Sequence, residues 1–195
     1  EAILEHPFPG PIYPVSRTHS QIRGLTCYPS VEALPQAVDL AIITIPATHV
    51  GMTLESCAAR GVRAAIIISS GFAEEKSEIG EARQQAISDV VARHSIAVLG
   101  PNAEGFLNGQ MPLAATFSPT VVHFEGELQP ADSRGAGIAV ISQSGGVGFS
   151  FFNRGRPKGL VFSFVVTTGN EAGLDALDVL EHLLEEDNTQ VILMF

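Results

Sequence analysis

Short apolar runs rich in Val, Ile and Leu recur along this 195-residue chain, and segments with helical spacing separate them. The run at residues 41–45, Ala-Ile-Ile-Thr-Ile, is almost continuously apolar, which is typical of a strand whose sheet is covered on both faces. Similar runs occupy residues 12–15, 64–69 and 96–99. Strands that alternate with helices predict a doubly wound parallel sheet with right-handed crossovers, so the predicted fold class is α/β.

Helical patterns fill the gaps between these strands. A helix is expected at residues 48–61, where Thr48 can serve as its N-cap, and a longer one at 73–94, where Gly80 is a tolerated weak point. In the second half the pattern predicts strands at 137–142, 160–166 and 191–195 and helices at 145–154 and 170–186. We expect the last helix to turn five leucines inward: Leu174, Leu177, Leu180, Leu183 and Leu184.

The stretch between residues 105 and 137 loses this periodicity and carries Pro112, Pro119 and Pro130, so we expect it to connect two units. We place a first domain at residues 1–125, a linker at 126–136 and a second, truncated domain at 137–195. The chain opens at Glu1 without an initiator Met and closes at Phe195 inside an apolar run. We therefore expect it to be a piece of a longer polypeptide.

Bulk properties narrow the range of partners. The formal net charge is −10 and no basic stripe is present, which argues against a nucleic-acid backbone or an anionic membrane as the main partner. No apolar stretch approaches the roughly 20 residues that cross a bilayer, and we recognise no signal peptide. Cys27 and Cys57 lack metal-ligand spacing, so we predict no metal site. Two reduced thiols are typical of a cytoplasmic protein, which is the location we expect.

Small and polar residues follow the carboxyl ends of the four predicted strands in the first half. In an open α/β sheet, ligands bind at this edge. Gly and Pro let the backbone approach a ligand closely, Arg17 offers a cation for phosphate, and the Asn102 amide both donates and accepts. Turn residues are common at any single strand end, but four such ends on one edge predict a ligand crevice. The segments are Pro14-Val15-Ser16-Arg17, Ile45-Pro46-Ala47-Thr48, Ser69-Ser70-Gly71-Phe72 and Gly100-Pro101-Asn102-Ala103.

A second site is predicted where the strand at 137–142 turns into the next helix. The N–H groups at a helix start have no intrahelical partner and carry the positive end of the helix dipole. A phosphate or carboxylate can therefore sit where Ser144, Gly145 and Gly146 turn the chain.

A series of short motifs runs through the whole chain in a fixed order. They are Tyr13-Pro14-Val15, Val38-Asp39-Leu40-Ala41-Ile42, Ile45-Pro46-Ala47, Ile68-Ser69-Ser70-Gly71-Phe72, Gly100-Pro101-Asn102 with Gly105 and Asn108, Ile141-Ser142-Gln143-Ser144-Gly145-Gly146, Thr168-Gly169-Asn170-Glu171-Ala172 and Leu177-Asp178-Val179-Leu180. In order and spacing, this series resembles the NDP-forming acyl-CoA synthetases, which share the fold of the succinyl-CoA synthetase alpha subunit.

The resemblance implies a Rossmann-like, parallel-sheet CoA-binding domain followed by a partial flavodoxin-like α/β domain. It implies that acid, CoA and ATP or GTP give acyl-CoA, NDP and phosphate through acyl-phosphate and phosphohistidine intermediates. It also implies that Ser144, Gly145 and Gly146 cradle the phosphoryl group. The residues that it places around CoA are Val15, Ser16, Arg17, Ile45, Pro46, Ala47, Ser70, Gly71, Phe72 and Asn102.

Some parts of the family pattern are not found in this chain. The first strand and the Gly-rich turn for the CoA pyrophosphate would precede Glu1, and the phosphorylated His would follow Phe195. None of the six histidines stands in a Gly- and Ser-rich loop, so we assign no catalytic residue and expect the chain alone to be inactive. Ala103 stands where the family commonly has Cys.

The resemblance also implies partners and cofactors beyond this chain. The expected substrates are a small carboxylic acid and CoA. ATP or GTP with Mg would bind outside this chain, in a nucleotide-grasp domain or a beta subunit, and an oligomer is expected.

Two other functions remain open at this point. The same domains could form a CoA-sensing regulatory module of a protein acetyltransferase. Alternatively, Gly145, Gly146 and Gly148 could form a degenerate dinucleotide loop of an NAD(P)-dependent oxidoreductase, although the G-x-G-x-x-G spacing is absent. Ser144 is a poor candidate for a hydrolase nucleophile, because Ser142 stands where a nucleophile elbow has Gly.

Overall fold

The computed structural model describes residues 2–6, 8–111, 113–122 and 137–195. The described residues form two larger sheets, their connecting helices and one small hairpin, so the predicted α/β class is confirmed. The predicted linker at 126–136 lies outside the described residues, and the boundaries at 125 and 137 stay predictions. None of the helices in the described part of the chain is long and apolar enough to span a membrane.

The short segments before the first large sheet form little regular structure. Helix α1 (Ala2–Glu5) is followed by a hairpin of β1 (Gln21–Ile22) and β2 (Leu25–Thr26). The strand expected at residues 12–15 is wrong: only Val15 pairs there, through an isolated bridge to Tyr28. Pro11 and Pro14 lack the backbone N–H that a strand ladder requires, which accounts for the difference.

The first large sheet contains the parallel strands β3 (Leu40–Ile43), β4 (Ala64–Ile67) and β5 (Ala97–Leu99), in that order. Helices α2 (Ala47–Ala59) and α3 (Glu78–His94) connect them and pack side by side on one face. The core on this face includes five fully buried side chains: Val50, Leu54, Ile67, Phe72 and Ile87. The other face packs against the second sheet, and burial on both faces explains why these strands read as continuous apolar runs.

The second sheet has five strands in the order β10-β8-β9-β6-β7. Its parallel strands are β8 (Gly137–Ser142), β9 (Phe162–Thr167) and β10 (Thr189–Met194), and its antiparallel hairpin is β6 (Gly105–Asn108) and β7 (Leu113–Thr116). The expectation that residues 105–137 only connect two units is therefore wrong for 105–116. Both hairpin strands are only four residues long, so their periodicity is too short to predict a strand.

Helix starts differ from the sequence-based expectations. Helix α2 begins after Pro46 without a side-chain cap, and Thr48 lies inside the helix, so the Thr48 N-cap is wrong. The helix expected at 73–94 is divided into a 3-10 turn (Ala73–Glu75) and α3, which Ser77 caps by accepting a hydrogen bond from the Gly80 amide at 3.1 Å. Gly80 also allows close packing, since a Cβ there would lie 2.2 Å from the Phe72 carbonyl oxygen.

The last two helices follow the second sheet's strands. Helix α5 (Gly145–Gly155) matches its predicted start, whereas α6 (Ala176–Leu184) is much shorter than the predicted 170–186. Asp175 caps α6 in a reciprocal capping box with Asp178, which fixes the helix start. Leu183 is buried as expected, but Leu177 and Leu184 are 67% and 71% exposed, so the inward orientation predicted for these two is wrong. A short helix α4 (Pro119–Val122) packs on α5.

The segment between β9 and α6 joins the two sheets. Its amides at Asn170, Ala172 and Leu174 donate to the carbonyls of Pro101, Gly100 and Val98 at 2.8, 2.9 and 2.8 Å. A shared core lies under this contact, in which Ile66 and Leu99 of the first sheet pack with residues of the second sheet and α6. The residues between β9 and α6 form turns and bends whose amides bond to Val98 of β5 and to the loop after it, which explains why the predicted helix does not begin at 170.

We predict that Gly169→Ala destabilises the protein much more than Gly159→Ala. Both glycines have positive φ, +61° and +79°, so each alanine carries the left-handed penalty of about 1 kcal/mol. A Cβ at Gly169 would also lie 2.3 Å from the Pro101 carbonyl oxygen, whereas a Cβ at Gly159 meets nothing within 4 Å. Thermal unfolding of the full-length protein and both variants measures the difference. Equal losses for the two variants would contradict the close docking at Gly169.

Candidate functional site

The loops after β3, β4 and β5 meet at one edge of the first sheet. The hydroxyl of Ser69 donates to the carbonyl of Ile45, and the carbonyl of Ser69 accepts from the backbone N–H of Asn102 at 2.9 Å. A Cβ on Gly71 would lie 3.1 Å from the Cβ of Ala47, so these two loops are in contact as well. Three of the four strand ends expected to line a crevice are thus brought together.

The predicted CoA-bordering residues of these loops differ in exposure. Phe72 has no exposed surface and belongs to the helix-covered core, so only its backbone can face a ligand. Pro46, Ser70 and Asn102 are exposed, and Ile45, Ala47 and Gly71 are half-buried. The crevice therefore offers mainly backbone and small side chains, with the Ser70 hydroxyl and the Asn102 side-chain amide as exposed polar groups.

The fourth segment, residues 15–17, is held by different contacts. The Ser16 amide donates to the Tyr28 carbonyl at 2.8 Å, and the Ser16 hydroxyl accepts from the amides of Thr18 and His19 at 3.3 and 3.2 Å. Arg17 and Val15 are exposed. The hydrogen bonds described for this segment run to Tyr28 and within its own turn, not to the other three loops.

Glu74 already binds the backbone amides of the loop after β4. Its carboxylate accepts from the Gly71 amide at 2.6 Å and from the Phe72 amide at 3.2 Å. Partial burial raises the pKa of the Glu74 carboxyl, but hydrogen bonds from Asn170 and from these amides outweigh burial and hold the pKa below its ordinary value. The loop is therefore stabilised by an ionised carboxylate at neutral pH.

Asn170 links this crevice to the second unit. Its side-chain NH₂ donates to Glu74 and to the Gln84 side-chain oxygen, the latter at 3.0 Å. Its side-chain oxygen accepts from the Asn102 amide group at 3.4 Å. One side chain from the second unit thus contacts two of the first unit's crevice loops and helix α3.

The next residue, Glu171, reaches the second predicted site. Its carboxylate accepts from the Thr168 hydroxyl at 2.8 Å, from the Gln143 side chain at 3.1 Å and from the Ala176 amide at 3.2 Å. Gln143 directly precedes Ser144 at the start of α5. Glu171 has a positive φ of 59°.

We call Ser144, Gly145 and Gly146, where helix α5 begins, the α5 turn, and it has the geometry expected of an anion site. Ser144 is the N-cap, and its carbonyl accepts from the Ser142 hydroxyl at 2.7 Å. A Cβ on Gly146 would meet nothing within 4 Å, so the space beside this glycine is open, whereas the Glu104 side chain packs against Gly145. No hydrogen bond of the described residues uses the amides of Gly145 or Gly146. Within the described part of the chain, these two donors at the positive end of the helix therefore have no hydrogen-bond partner.

The third glycine of this turn has a packing role. A Cβ on Gly148 would lie 3.1 Å from both the Ser142 Cβ and the Thr167 Cγ2, so glycine lets α5 approach β8 and β9 closely. This contact explains Gly148 without a dinucleotide loop.

Four residues of the two crevices are not among the sequence-predicted ones: Glu74, Glu104, Asn170 and Glu171. Asn170 and Glu171 stand in a motif that resembles the synthetases, and this motif could have identified them as candidate site residues. Glu74 and Glu104 give no such signal, because their role depends on loop contacts that spacing does not reveal.

The chain is an α/β protein with two linked strand-end crevices, one of them at a helix start, and it is at such places that α/β proteins bind phosphate-bearing ligands. Comparisons with known proteins give the particular family. Residues 3–108 match the model of the CoA binding domain, and residues 135–195 match the succinyl-CoA ligase-like flavodoxin domain. The chain belongs to the CoA-binding domain family, and its second part is a succinyl-CoA ligase-like flavodoxin domain.

Relatives that the chain is similar to include ADP-forming ligases. The chain is 37% identical over 96% of its length to acetate–CoA ligase [ADP-forming] I of Archaeoglobus fulgidus, of which it covers 26%. It is 34% identical over 99% of its length to the alpha subunit of acetate–CoA ligase [ADP-forming] I of Pyrococcus furiosus, of which it covers 40%. The chain therefore spans about a quarter to two fifths of these relatives.

A solved structure shows the same fold. The dinucleotide-forming acetyl-coenzyme A synthetase 1 of Ca. Korarchaeum cryptofilum, in complex with phosphate and ADP, superposes with a TM-score of 0.85 at 32% identity. The match covers 99% of this chain and 39% of the other. The resemblance inferred from the motifs is confirmed.

We predict that Asn170→Ala weakens CoA binding about fivefold. The substitution removes the hydrogen bond from Asn170 to the Glu74 carboxylate, which is worth about 1 kcal/mol and helps to hold the loop after β4. Asn153→Ala, at an exposed position on α5, is the matched control and should change CoA affinity less than twofold. Calorimetric titration of the full-length protein with CoA measures both. An unchanged dissociation constant for Asn170→Ala would show that the crevice does not depend on this link.

Proposed function

We propose that the full-length protein containing this chain is an NDP-forming acyl-CoA synthetase. It joins a small carboxylic acid to CoA and converts ATP or GTP to NDP and phosphate. The observation that carries the proposal is the link from Asn102 through Asn170 and Glu171 to Gln143, which joins a crevice of the CoA-binding domain to a free helix start. The relatives' names and the Korarchaeum complex with phosphate support the same reaction.

In this proposal each crevice has its own task. The loops at 45–47, 70–72 and Asn102 hold CoA through backbone groups and one amide side chain, and Arg17 contacts a phosphate of CoA. Ser144, Gly145 and Gly146 hold the phosphoryl group through preorganised amides, which stabilise its charge without rearrangement.

The covalent steps use groups outside this chain. A His that follows Phe195 takes the terminal phosphoryl group of ATP or GTP and releases NDP. The carboxylate of the acid then takes this phosphoryl group from the His and becomes an acyl phosphate. The CoA thiol, after losing its proton, attacks the acyl carbon, and inorganic phosphate leaves. Dividing one difficult condensation into such steps is the general benefit of a covalent intermediate.

The nucleotide and its Mg belong to a separate nucleotide-grasp domain or beta subunit, and the assembly is an oligomer in this proposal. The alpha-subunit name of the Pyrococcus relative supports a subunit partner. We keep the cytoplasmic location as a proposal, supported by two free cysteines, Cys27 and the buried Cys57. The family matches give no support to an oxidoreductase or to an acetyltransferase module.

The direct test incubates the full-length protein with acetate, CoA and ATP and measures acetyl-CoA, ADP and phosphate. We expect the three products in equal amounts and a protein-bound phosphate from γ-labelled ATP that is stable to alkali and labile to acid. GTP and other short carboxylic acids, tested in parallel, identify the preferred nucleotide and acid. Lysine acetylation by acetyl-CoA without any acyl-CoA synthesis would contradict the proposal and favour the acetyltransferase module.

We predict that Arg17→Ala weakens binding of CoA about tenfold but leaves pantetheine binding unchanged. Arg17 is exposed and is expected to contact a phosphate, and pantetheine has no phosphate. The effect on CoA should shrink as salt screens the charge. Arg154→Ala, at an exposed position on α5, removes the same charge elsewhere and is the control. If Arg17→Ala lowered the affinities for CoA and pantetheine equally, Arg17 would not bind a phosphate of CoA.

A further inference from the structure

The carboxylate of Glu104 lies at the positive end of helix α5. A Cβ added to Gly145, the first residue of this helix, would lie 2.5 Å from both the Cβ and the Oε2 of Glu104. Only glycine leaves room for this contact. The side chain of Glu104 therefore covers one of the two glycines assigned to the phosphoryl group, while Gly146 beside it stays open.

The backbone of Glu104 is fixed by the second sheet. Its amide donates to the Thr167 hydroxyl oxygen at 2.9 Å, and its carbonyl accepts from the Thr116 hydroxyl at 2.7 Å. Thr167 in turn donates to the Gly105 carbonyl at 2.8 Å. The point from which the side chain extends is therefore set by β7 and β9, independently of any ligand.

The carboxylate itself has no polar partner in the described part of the chain. No hydrogen bond or ion pair is found there for either of its oxygens, and the side chain is half-buried. Its favourable interaction is with the helix dipole and the free amides of the turn. Rotation about its own side-chain bonds would withdraw it from the turn without breaking a hydrogen bond to another side chain.

The Glu104 carboxylate and a phosphoryl group carry charge of the same sign, and both would lie at the positive end of α5. Two anions that share one helix start repel each other, and the repulsion is strong where water is partly excluded. A phosphoryl group that is passed from one carrier to the next must also leave the turn, and binding the ground state too tightly slows turnover.

We propose that Glu104 competes with phosphate for the α5 turn and thereby keeps the affinity of this site for phosphate low. The inference rests on the proposed function for its place in catalysis, but the competition itself concerns only phosphate and the turn. In this proposal Glu104 sets the affinity of the site for phosphate, and it forms no covalent bond to the phosphoryl group.

The test is calorimetric titration of the full-length protein with inorganic phosphate. Glu104→Gln keeps the size of the side chain and removes its charge, and we expect it to tighten phosphate binding about tenfold. Glu78→Gln removes an exposed carboxylate from the first turn of α3 and is the matched control, with no change expected. Phosphate affinity that is unchanged or weaker in Glu104→Gln overturns the proposal, as does the absence of phosphate binding by both proteins.

A second measurement guards against a folding artefact. Phosphate is a product of the proposed reaction, so its inhibition constant should fall about tenfold in Glu104→Gln, while the KM for CoA stays within twofold. A general loss of structure would raise the KM for CoA as well, and that outcome overturns the proposal. If the protein makes no acyl-CoA but Glu104→Gln still tightens phosphate binding, the proposed function fails and the competition stands.

Discussion

Three backbone hydrogen bonds join the segment after β9, which belongs to the second sheet, to the end of β5 in the first sheet and the loop that follows it. They place Asn170 over the loops of the first crevice and Glu171 beside the α5 turn. Gly169 and Gly173 make this approach possible, because a Cβ on either would lie within 3 Å of β5 or of the loop that follows it. The shared core under the contact adds apolar burial that the first sheet alone would lack. Each crevice therefore depends on a segment that contributes to both.

The strands of the first sheet could be predicted because they are buried on both faces. Leu40–Ile43 and Ala64–Ile67 read as continuous apolar runs, and the sequence pattern located them to within two residues at their ends. The hairpin from Gly105 to Thr116 could not be predicted from the sequence. Its two strands are short, and the strand that β6 pairs with on its other side, β9, lies far along the chain. The helix expected at 170 begins at Ala176, since the amides of residues 170, 172 and 174 donate to carbonyls of β5 and of the loop that follows it. Tertiary pairing decided both cases.

For the site, residue types at strand ends predicted three loops that do meet, and the Ser-Gly-Gly turn lies at a helix start as expected. What spacing could not show is which donors are already used. Glu74 takes the amides of Gly71 and Phe72, and Phe72 turns its ring into the core, so this loop offers a ligand less than its composition suggests. The contacts of Glu74 and Glu104 come from loop geometry, and no local pattern of three or four residues encodes them.

Each of the two crevices has a carboxylate beside its backbone: Glu74 accepts hydrogen bonds from the Gly71 and Phe72 amides in the first, and the Glu104 side chain lies against Gly145 in the second. The chain has a net charge of −10, but beyond about 8 Å this charge is screened at physiological salt, so it does not prevent local donors from binding an anion. The two carboxylates differ in their partners. Glu74 accepts a hydrogen bond from Asn170 and stabilises its loop, whereas no hydrogen bond to the Glu104 carboxylate is found among the described residues, so the proposed displacement of Glu104 would break no such bond.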